Sequence, residues 1–123
     1  MTDVKVVDAS ALAALVFDEP VAGTVAGRLT GARLAAPALL GFELANVCVT
    51  KMRRQPDQRD PLKNAFRLAG RLPIETVEVD RAEALDLAEA AGLTAYDASY
   101  LWVARKLRCE LVTLDRRLAA AID

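Results

Sequence analysis

The sequence contains no histidine. A serine or cysteine nucleophile that histidine activates is therefore excluded, and so is a metal site built on imidazole ligands. Any acid–base or metal chemistry in this chain must use carboxylates, lysine, tyrosine, cysteine or hydroxyl groups.

Cysteine is also scarce, since Cys48 and Cys109 are the only two. They form no CxxC motif and show no other metal-binding spacing. Cys48 falls within an apolar helical pattern, and Cys109 directly precedes an apolar strand. We expect both to be buried, reduced thiols rather than a disulfide, which is typical of a cytoplasmic protein.

Long apolar runs are absent as well. No segment approaches the roughly 20 residues of a membrane span, and the apolar N-terminal stretch carries Asp3, Lys5 and Asp8 instead of a basic leader, so we expect neither a membrane helix nor a signal peptide. The 123 residues are 54% hydrophobic and 27% charged, typical of a single globular domain over residues 1–123. The net charge of −1 excludes a uniformly basic nucleic-acid-binding protein but not a local basic patch.

Strand-like and helix-like segments alternate along the chain. This alternation predicts an α/β fold in which right-handed crossovers join the strands of a parallel sheet. The predicted strands are residues 4–7, 33–37, 74–79 and 110–114. The predicted helices are residues 10–17, the segment from an Asp18 cap to Gly31, and residues 37–54, 62–72, 81–92, 94–107 and 116–121. Residues 55–61 contain two prolines and are predicted to form a loop.

Two aspartates directly follow predicted strands. Asp8 ends the first strand and Asp115 ends the last, which places both at the sheet edge where open α/β proteins bind ligands. Taken alone, each is better explained as the N-cap of the next helix, because aspartate accepts a hydrogen bond from a free first-turn N–H. Asp80 has the same kind of position, and Glu83 three residues later makes the cap explanation sufficient there.

Asp97 has a local explanation too. With Thr94 three residues earlier, it fits a capping box. However, Tyr100, Leu101 and Ala104 follow at helical spacing, so Asp97 also lies on a largely apolar face.

Glu43 has no such local explanation. It lies too deep in its helix for a cap and interrupts an apolar stripe between Leu40 and Val47. A carboxylate that faces the core costs several kcal/mol unless it is paired or binds a metal. Lys51 or an arginine elsewhere could neutralise it in a structural ion pair, whereas Asn46, one turn on, extends the polar spot.

Taken together, the four carboxylates suggest a metal site. Clustered carboxylates repel one another, and a hard divalent cation such as Mg²⁺ removes that penalty because it prefers carboxylate oxygens. Such a site can activate water and hold a phosphodiester for in-line attack. Ser10 and Thr113 lie at the same sheet edge, where their hydroxyls could hold a water or a phosphate oxygen, or have only a local structural role.

The middle of the chain is basic. Residues 51–71 carry seven lysines and arginines but only two aspartates. Lys63, Arg67 and Arg71 follow one another at intervals of four and are predicted to share one helix face. This face is either simply solvated or a rim that grips phosphates beside the acidic site.

Four segments of the chain resemble the motifs of PIN-domain ribonucleases, and in particular the VapC-type toxins of toxin–antitoxin pairs. They are residues 6–12 around Asp8, 42–47 around Glu43, 94–100 around Asp97 and 111–115 around Asp115. The resemblance covers essentially the whole chain in order. It implies a three-layer α/β/α fold with a mainly parallel central sheet of four to five short strands, and an endoribonuclease that depends on Mg²⁺ or Mn²⁺.

The resemblance also implies roles for individual residues. Asp8, Glu43, Asp97 and Asp115 match the acidic positions, with Asp8, Asp97 and Asp115 expected nearest the metal, and Thr113 and Asn46 match accessory polar positions. Glu43 would complete the site or orient the attacking water. The family further implies an RNA substrate, a cognate antitoxin that covers the site, and a homodimer.

Two alternatives remain open from the sequence. The first is a non-catalytic protein-interaction module on the same fold, with the apolar segment 12–17 as a partner surface. The second is a phosphoacceptor receiver domain, which expects an acidic pair after the first strand and an acceptor aspartate after a middle strand. Here Asp8 stands alone and Asp57 lies in a proline-flanked loop.

Overall fold

The structure is a computed structural model that describes residues 3–122, in which four strands alternate with helices. The strands are β1 (Val4–Val7), β2 (Arg33–Ala36), β3 (Ile74–Thr76) and β4 (Glu110–Val112). The helices are α1 (Ala9–Val16), α2 (Ala22–Leu29), α3 (Leu39–Arg54), α4 (Arg59–Ala69), α5 (Arg81–Ala91), α6 (Ala95–Leu107) and α7 (Arg116–Ala120). None of these helices is long and apolar enough to cross a membrane, and α3, with 16 residues, is the longest of them.

The strands form one parallel sheet in the order β3-β2-β1-β4, which confirms the predicted α/β class. The chain steps from β1 outward to β2 and β3, then returns across β1 to add β4 on the other side. Right-handed crossovers in opposite directions place helices on opposite faces of a sheet. Accordingly α1, α3 and α4 pack together as one group, whereas α6 packs on α5 and α7. The reversal of direction falls between β1 and β4, the kind of point where open α/β sheets bind ligands.

The core is centred on β1. Val6 and Val7 are fully buried, as is Val112 of the neighbouring β4. Leu12 from α1 and Val103 from α6 are also buried in the same core cluster. Val is well suited to such strands because its branched side chain packs on a pleated surface. The buried strands β1 and β4 therefore hold the residues that directly follow them in well-defined positions.

Three strands are shorter than predicted, and the first of them, β2, ends at Ala36 rather than residue 37. β3 ends at Thr76 rather than residue 79, because its partner β2 ends at Ala36, which pairs with Thr76. β4 ends at Val112 rather than residue 114, because the Thr113 hydroxyl turns back to accept a hydrogen bond from the Asp115 N–H at 3.0 Å.

The predicted Asp18 cap is wrong. Helix α2 begins only at Ala22, and its N-cap, Val21, makes no side-chain hydrogen bond. Asp18 instead adopts a left-handed backbone conformation with φ of 50° in the turn after α1. Aspartate tolerates this region better than most residues, so the Asp-Glu-Pro signal marks a turn here.

The predicted loop at residues 55–61 is also partly wrong. It contains a 3₁₀ turn (Pro56–Gln58) and the first residues of α4, which begins at Arg59. Pro61 is tolerated there because the first turn of a helix leaves its N–H groups unpaired. Helix α4 ends at Ala69, so Arg71 lies beyond it and does not continue the helix face of Lys63 and Arg67.

Both cysteines are free thiols, as predicted. Cys48 is buried, where its Sγ lies 3.7 Å from Met52 Sδ and 3.6 Å from the Leu62 carbonyl oxygen. Cys109 is only partly buried.

Asp80 is the N-cap of α5, as predicted, and it allows a test of this local contribution. Its Oδ1 accepts a hydrogen bond from the Glu83 N–H at 3.0 Å. We expect Asp80→Ala to lower the free energy of unfolding by about 1 kcal/mol, and Asp80→Asn to change it little because asparagine caps as well as aspartate. Urea denaturation monitored by circular dichroism measures both values. Equal stability of the alanine variant and the wild type would contradict this role.

Candidate active site

Asp8 lies where β1 ends and α1 begins, and it is only 4% exposed. Its Oδ1 accepts hydrogen bonds from the Ala11 N–H at 3.0 Å and from the Ser10 hydroxyl at 2.7 Å. Its Oδ2 accepts one from the Thr113 hydroxyl at 2.5 Å. Asp8 is therefore a helix cap and also a carboxylate fixed at both oxygens. Because a carboxylate has about four acceptor positions, it retains capacity for another ligand.

Thr113 reaches Asp8 because of the strand register. Val7 pairs with Val112 across β1 and β4, and the Asp8 N–H donates to the Val112 carbonyl oxygen at 3.3 Å. The residue after each strand thus emerges beside its neighbour. Thr113 is 7% exposed, so its hydroxyl has little access to water. It forms hydrogen bonds with Asp8 and Asp115, which follow β1 and β4.

Ser10 ties the same two strand ends together from the other direction. Its Oγ accepts a hydrogen bond from the Leu114 N–H at 2.8 Å and lies 3.3 Å from Thr113 Oγ1. The predicted accessory residues Ser10 and Thr113 are thus both in contact with Asp8. Both hydroxyls donate to the Asp8 carboxylate and so hold it in one orientation.

Asp115 follows this junction as the N-cap of α7. Its Oδ1 accepts a hydrogen bond from the Leu118 N–H at 2.9 Å, and its side chain is half-buried. As for Asp8, the cap fixes one oxygen of the carboxylate and leaves the second for other partners.

Glu43 is half-buried on α3, and its Oε1 accepts a hydrogen bond from the Tyr100 hydroxyl at 2.5 Å. The alternative partner suggested by the sequence is wrong, because Lys51 Nζ instead pairs with Glu19 Oε2 at 3.0 Å. Among residues 3–122, the salt bridges all involve other carboxylates, so Glu43 is not neutralised by a lysine or arginine there.

Asp97 lies in the first turn of α6, and Thr94 caps that helix as predicted. The Thr94 hydroxyl accepts a hydrogen bond from the Asp97 N–H at 3.1 Å. Asp97 is half-buried, and Ala98 and Tyr100 beside it are buried, which confirms the apolar surroundings that the sequence indicates.

The charges of the four carboxylates act on one another. Burial is the largest cause of a raised pKa at Glu43, and the charges of Asp97 and Asp8 raise that pKa further, against the lowering effect of the Tyr100 hydrogen bond. Burial is likewise the first cause of the raised pKa of Asp97, and the charges of Asp115 and Asp8 add to it. Thr94 and Arg117 lower the pKa of Asp97. The fold therefore brings all four predicted carboxylates into one electrostatic neighbourhood.

This neighbourhood suits a hard cation in its chemistry but does not form a closed cage. Within residues 3–122, no three carboxylates or thiols stand close enough to share one ion as they are placed. Mg²⁺ does not require such a cage, because it keeps several waters and is usually bound through one or two carboxylates. The oxygen-only donor set and the mutual repulsion of its members fit a hydrated Mg²⁺ or Mn²⁺ ion.

The other predicted residues lie at the periphery. Asn46 is exposed on α3, three residues after Glu43. Lys63 and Arg67 are exposed on α4, which packs on α3 and α1, and Arg71 is exposed beyond it. In the described part of the chain, no hydrogen bond or salt bridge joins these residues to the four carboxylates.

The sequence does not predict the contact between Tyr100 and Glu43. The sequence predicts that Tyr100 lies on the apolar face of α6, and it is indeed 1% exposed. A buried tyrosine hydroxyl normally has a hydrogen-bond partner. Because Tyr100 lies one helical turn after Asp97, the spacing indicates a hydroxyl donor close to the carboxylates.

Comparisons with known proteins find similar proteins that match nearly the whole chain. The family model of the PIN domain matches residues 5–122. Over 123 residues the chain is 39% identical to VapC ribonuclease Mb0985 of Mycobacterium bovis and to ribonuclease VapC9 of Mycobacterium tuberculosis, in each case over 93% of this chain and 87% of the relative. Ribonuclease VapC3 of Pyrobaculum aerophilum is 32% identical over 119 residues, which cover 93% of this chain and 91% of that protein.

Solved structures show the same fold. The crystal structure of PAE2754 from Pyrobaculum aerophilum superposes with a TM-score of 0.81 at 28% identity, covering 100% of this chain and 87% of that one. VapC20 of Mycobacterium tuberculosis, a toxin that cleaves the sarcin–ricin loop, superposes with a TM-score of 0.65 at 19% identity over 95% of this chain and 94% of its own. The second likeness concerns the fold alone. The predicted three-layer α/β/α architecture is confirmed.

Proposed function

Since the chain belongs to the PIN-domain family, we propose that it is a metal-dependent endoribonuclease that hydrolyses RNA phosphodiester bonds as the toxin of a type II toxin–antitoxin pair. Two contacts carry the proposal: Thr113 links the Asp8 carboxylate to the Asp115 backbone N–H, and Tyr100, one turn after Asp97, donates to Glu43. The names of the relatives, all VapC ribonucleases, support the same activity.

Asp8, Asp97 and Asp115 would lie nearest the cation, which we propose to be a hydrated Mg²⁺ or Mn²⁺ ion. When bound, it would supply positive charge to a phosphate and lower the pKa of a water. Ser10, Thr113 and the Ala11 N–H keep the Asp8 carboxylate in one orientation. Glu43 completes the site or orients the attacking water. Preorganised carboxylates of this kind need no rearrangement when the substrate arrives.

The partners follow from the same proposal. The substrate is RNA, and Lys63, Arg67 and Arg71 are exposed cations that could contact its phosphates, with Asn46 as a further polar contact near Glu43. A cognate antitoxin would cover the site. RNA substrates and two free thiols both suit a cytoplasmic location.

The test is incubation of the purified chain with total RNA in the presence of Mg²⁺ or Mn²⁺, followed by mapping of the product ends. We expect discrete fragments whose ends recur at defined positions. No cleavage with either ion, together with tight binding of another protein, would favour the non-catalytic module instead.

The structure weakens the two alternatives from the sequence. Leu12 is buried and Leu15, Val16 and Phe17 pack against the core, so residues 12–17 are not a free partner surface. Asp57 lies exposed in the 3₁₀ turn rather than after a strand, which contradicts the arrangement of a receiver domain.

A homodimer is part of the proposal, and an apolar surface supports it. A cleft of about 770 Å³ opens between the ends of β2 and β3 and the helices α5 and α6. Leu39, Val79, Leu85 and Tyr96 are among its lining residues, and Leu85 and Tyr96 are 63% and 62% exposed. Phe42, one turn after Leu39 on α3, is 82% exposed. Large apolar side chains grouped in this way are typical of a protein interface.

We therefore expect the wild type to be a dimer of about twice 13.2 kDa, and Leu85→Arg to dissociate it. A charge buried in an interface without a partner costs several kcal/mol. Light scattering after size-exclusion chromatography over a range of concentrations measures the mass. Leu68→Arg is the matched control, because Leu68 is also exposed but lies on α4. A wild type that is monomeric at every concentration would contradict the dimer.

A further inference from the structure

We propose that Tyr100 is a positioning residue that fixes the Glu43 carboxylate within the active site. The inference rests on the proposed function for its catalytic consequence, but its structural part can be tested without activity. It starts from one contact, the hydrogen bond that the Tyr100 hydroxyl donates to Glu43 Oε1 across 57 residues of sequence.

The burial of Tyr100 shows that its hydroxyl is not incidental. The ring is 1% exposed and is the largest fully buried side chain of the described residues. Phenylalanine would fill the same space without a polar atom, and burying an unpaired hydroxyl is costly. Tyrosine at this position therefore requires an acceptor, and the acceptor is a carboxylate of the site.

The contact joins two helices whose main packing partners differ. Helix α3 packs on α4 and α1, whereas α6 packs on α5, β1 and β4. The Tyr100–Glu43 bond therefore sets the position of one carboxylate relative to the helix that carries another, since Asp97 lies one turn before Tyr100 on α6. Short hydrogen bonds from a hydroxyl to a carboxylate are among the strong ones in proteins, and they fix geometry.

The bond also restricts which atom of Glu43 remains available. Oε1 is occupied by Tyr100, and among residues 3–122 no hydrogen bond to Oε2 is found. Glu43 thus presents one oxygen to the site in a fixed orientation. Without the hydroxyl, the side chain would be free to rotate between rotamers, and only part of the population would have the working geometry.

The variant Tyr100→Phe removes only the hydroxyl. We expect kcat for RNA cleavage to fall 10- to 100-fold, in the range seen when outer-shell partners of metal sites are removed, with KM changed less than about twofold. The reason is that the substrate still binds while Glu43 is misplaced. In crystals of the variant, Glu43 should adopt a different or a mixed rotamer.

Trp102→Phe is the matched control. Trp102 Nε1 donates to Glu83 Oε1 at 2.9 Å, so this change also deletes an aromatic donor to a glutamate from α6, but outside the site. We expect kcat and the Glu43 rotamer to stay unchanged in this variant. A Tyr100→Phe protein with Glu43 in its original rotamer, or with kcat within twofold of the wild type, would overturn the proposal.

The two readouts separate this inference from the proposed function. If the wild type fails to cleave RNA, the proposed function fails, yet the crystal structures still decide whether Tyr100 fixes Glu43. If the wild type cleaves and Tyr100→Phe cleaves equally well, only the positioning role is lost. If Tyr100→Phe does not fold, a crystal structure of the wild type decides: Glu43 in a single rotamer bonded to the Tyr100 hydroxyl supports the inference, and an absent bond overturns it.

Discussion

Asp8→Asn is expected to reduce RNA cleavage by about 10²- to 10³-fold while the protein remains folded. Asparagine has the same shape and still accepts a hydrogen bond from the Ala11 N–H, so the cap of α1 is retained. The Thr113 hydroxyl can rotate to accept from the new amide group. What disappears is the negative charge that would hold the cation. Initial cleavage rates, with circular dichroism and urea unfolding as folding checks, measure the effect.

The chain offers an unusually well matched control in Asp80→Asn. Asp80 also follows a strand-forming segment and also caps a helix, where its Oδ1 accepts from a backbone N–H at 3.0 Å. It lies outside the carboxylate group, so its replacement should leave the cleavage rate unchanged. If Asp8→Asn cleaved RNA as fast as Asp80→Asn at an equal folded fraction, Asp8 could not be a ligand of an essential metal.

Removal of divalent cations should have an effect of similar size. With excess chelator we expect cleavage to fall to background and to return when Mg²⁺ or Mn²⁺ is restored in excess. The physical reason is that burial, and then the charges of neighbouring carboxylates, raise the pKa of Glu43 and Asp97, and a bound cation would offset both effects. Full-rate cleavage in chelator would contradict a metal-dependent mechanism.

The same cation should stabilise the fold, because it binds the native site and not the unfolded chain. At a concentration 100 times its dissociation constant, the gain is about 2.7 kcal/mol, which raises Tm by several degrees. Differential scanning calorimetry with Mn²⁺ should show this rise in the wild type and in Asp80→Asn, and a smaller one in Asp8→Asn. Identical shifts in all three proteins would place the binding site elsewhere.

The secondary structure is largely predictable from the sequence, because its signals are local. Strand β1 and the caps Asp80 and Thr94 depend on residues within one helical turn, and the structure confirms them. The predictions that are wrong rest on local sequence signals that are compatible with two different structures. Asp18 fits the pattern of a helix cap as well as that of a turn. Arg71 continues the four-residue spacing of Lys63 and Arg67, but α4 ends before it, at Ala69.

Long-range order could not be predicted in the same way. Asp8 and Asp80 have similar local sequence patterns, and only the fold separates them, because Asp8 directly follows β1 between β2 and β4, whereas Asp80 lies four residues beyond the end of the edge strand β3. The Glu43–Tyr100 contact likewise depends on how two helices are placed across the sheet. Spacing along a chain carries no direct information about such contacts.

The hydrogen bond between Asp8 and Thr113 spans 105 positions of the chain and has a consequence for biosynthesis. A nascent chain emerging from a ribosome completes β1 first, but the strand that pairs with it on this side is made last. Folding dominated by such distant pairings is slow. The four carboxylates can therefore come together only after Asp115 has been translated, so a nascent chain that ends before α6 carries Asp8 and Glu43 without Asp97 and Asp115.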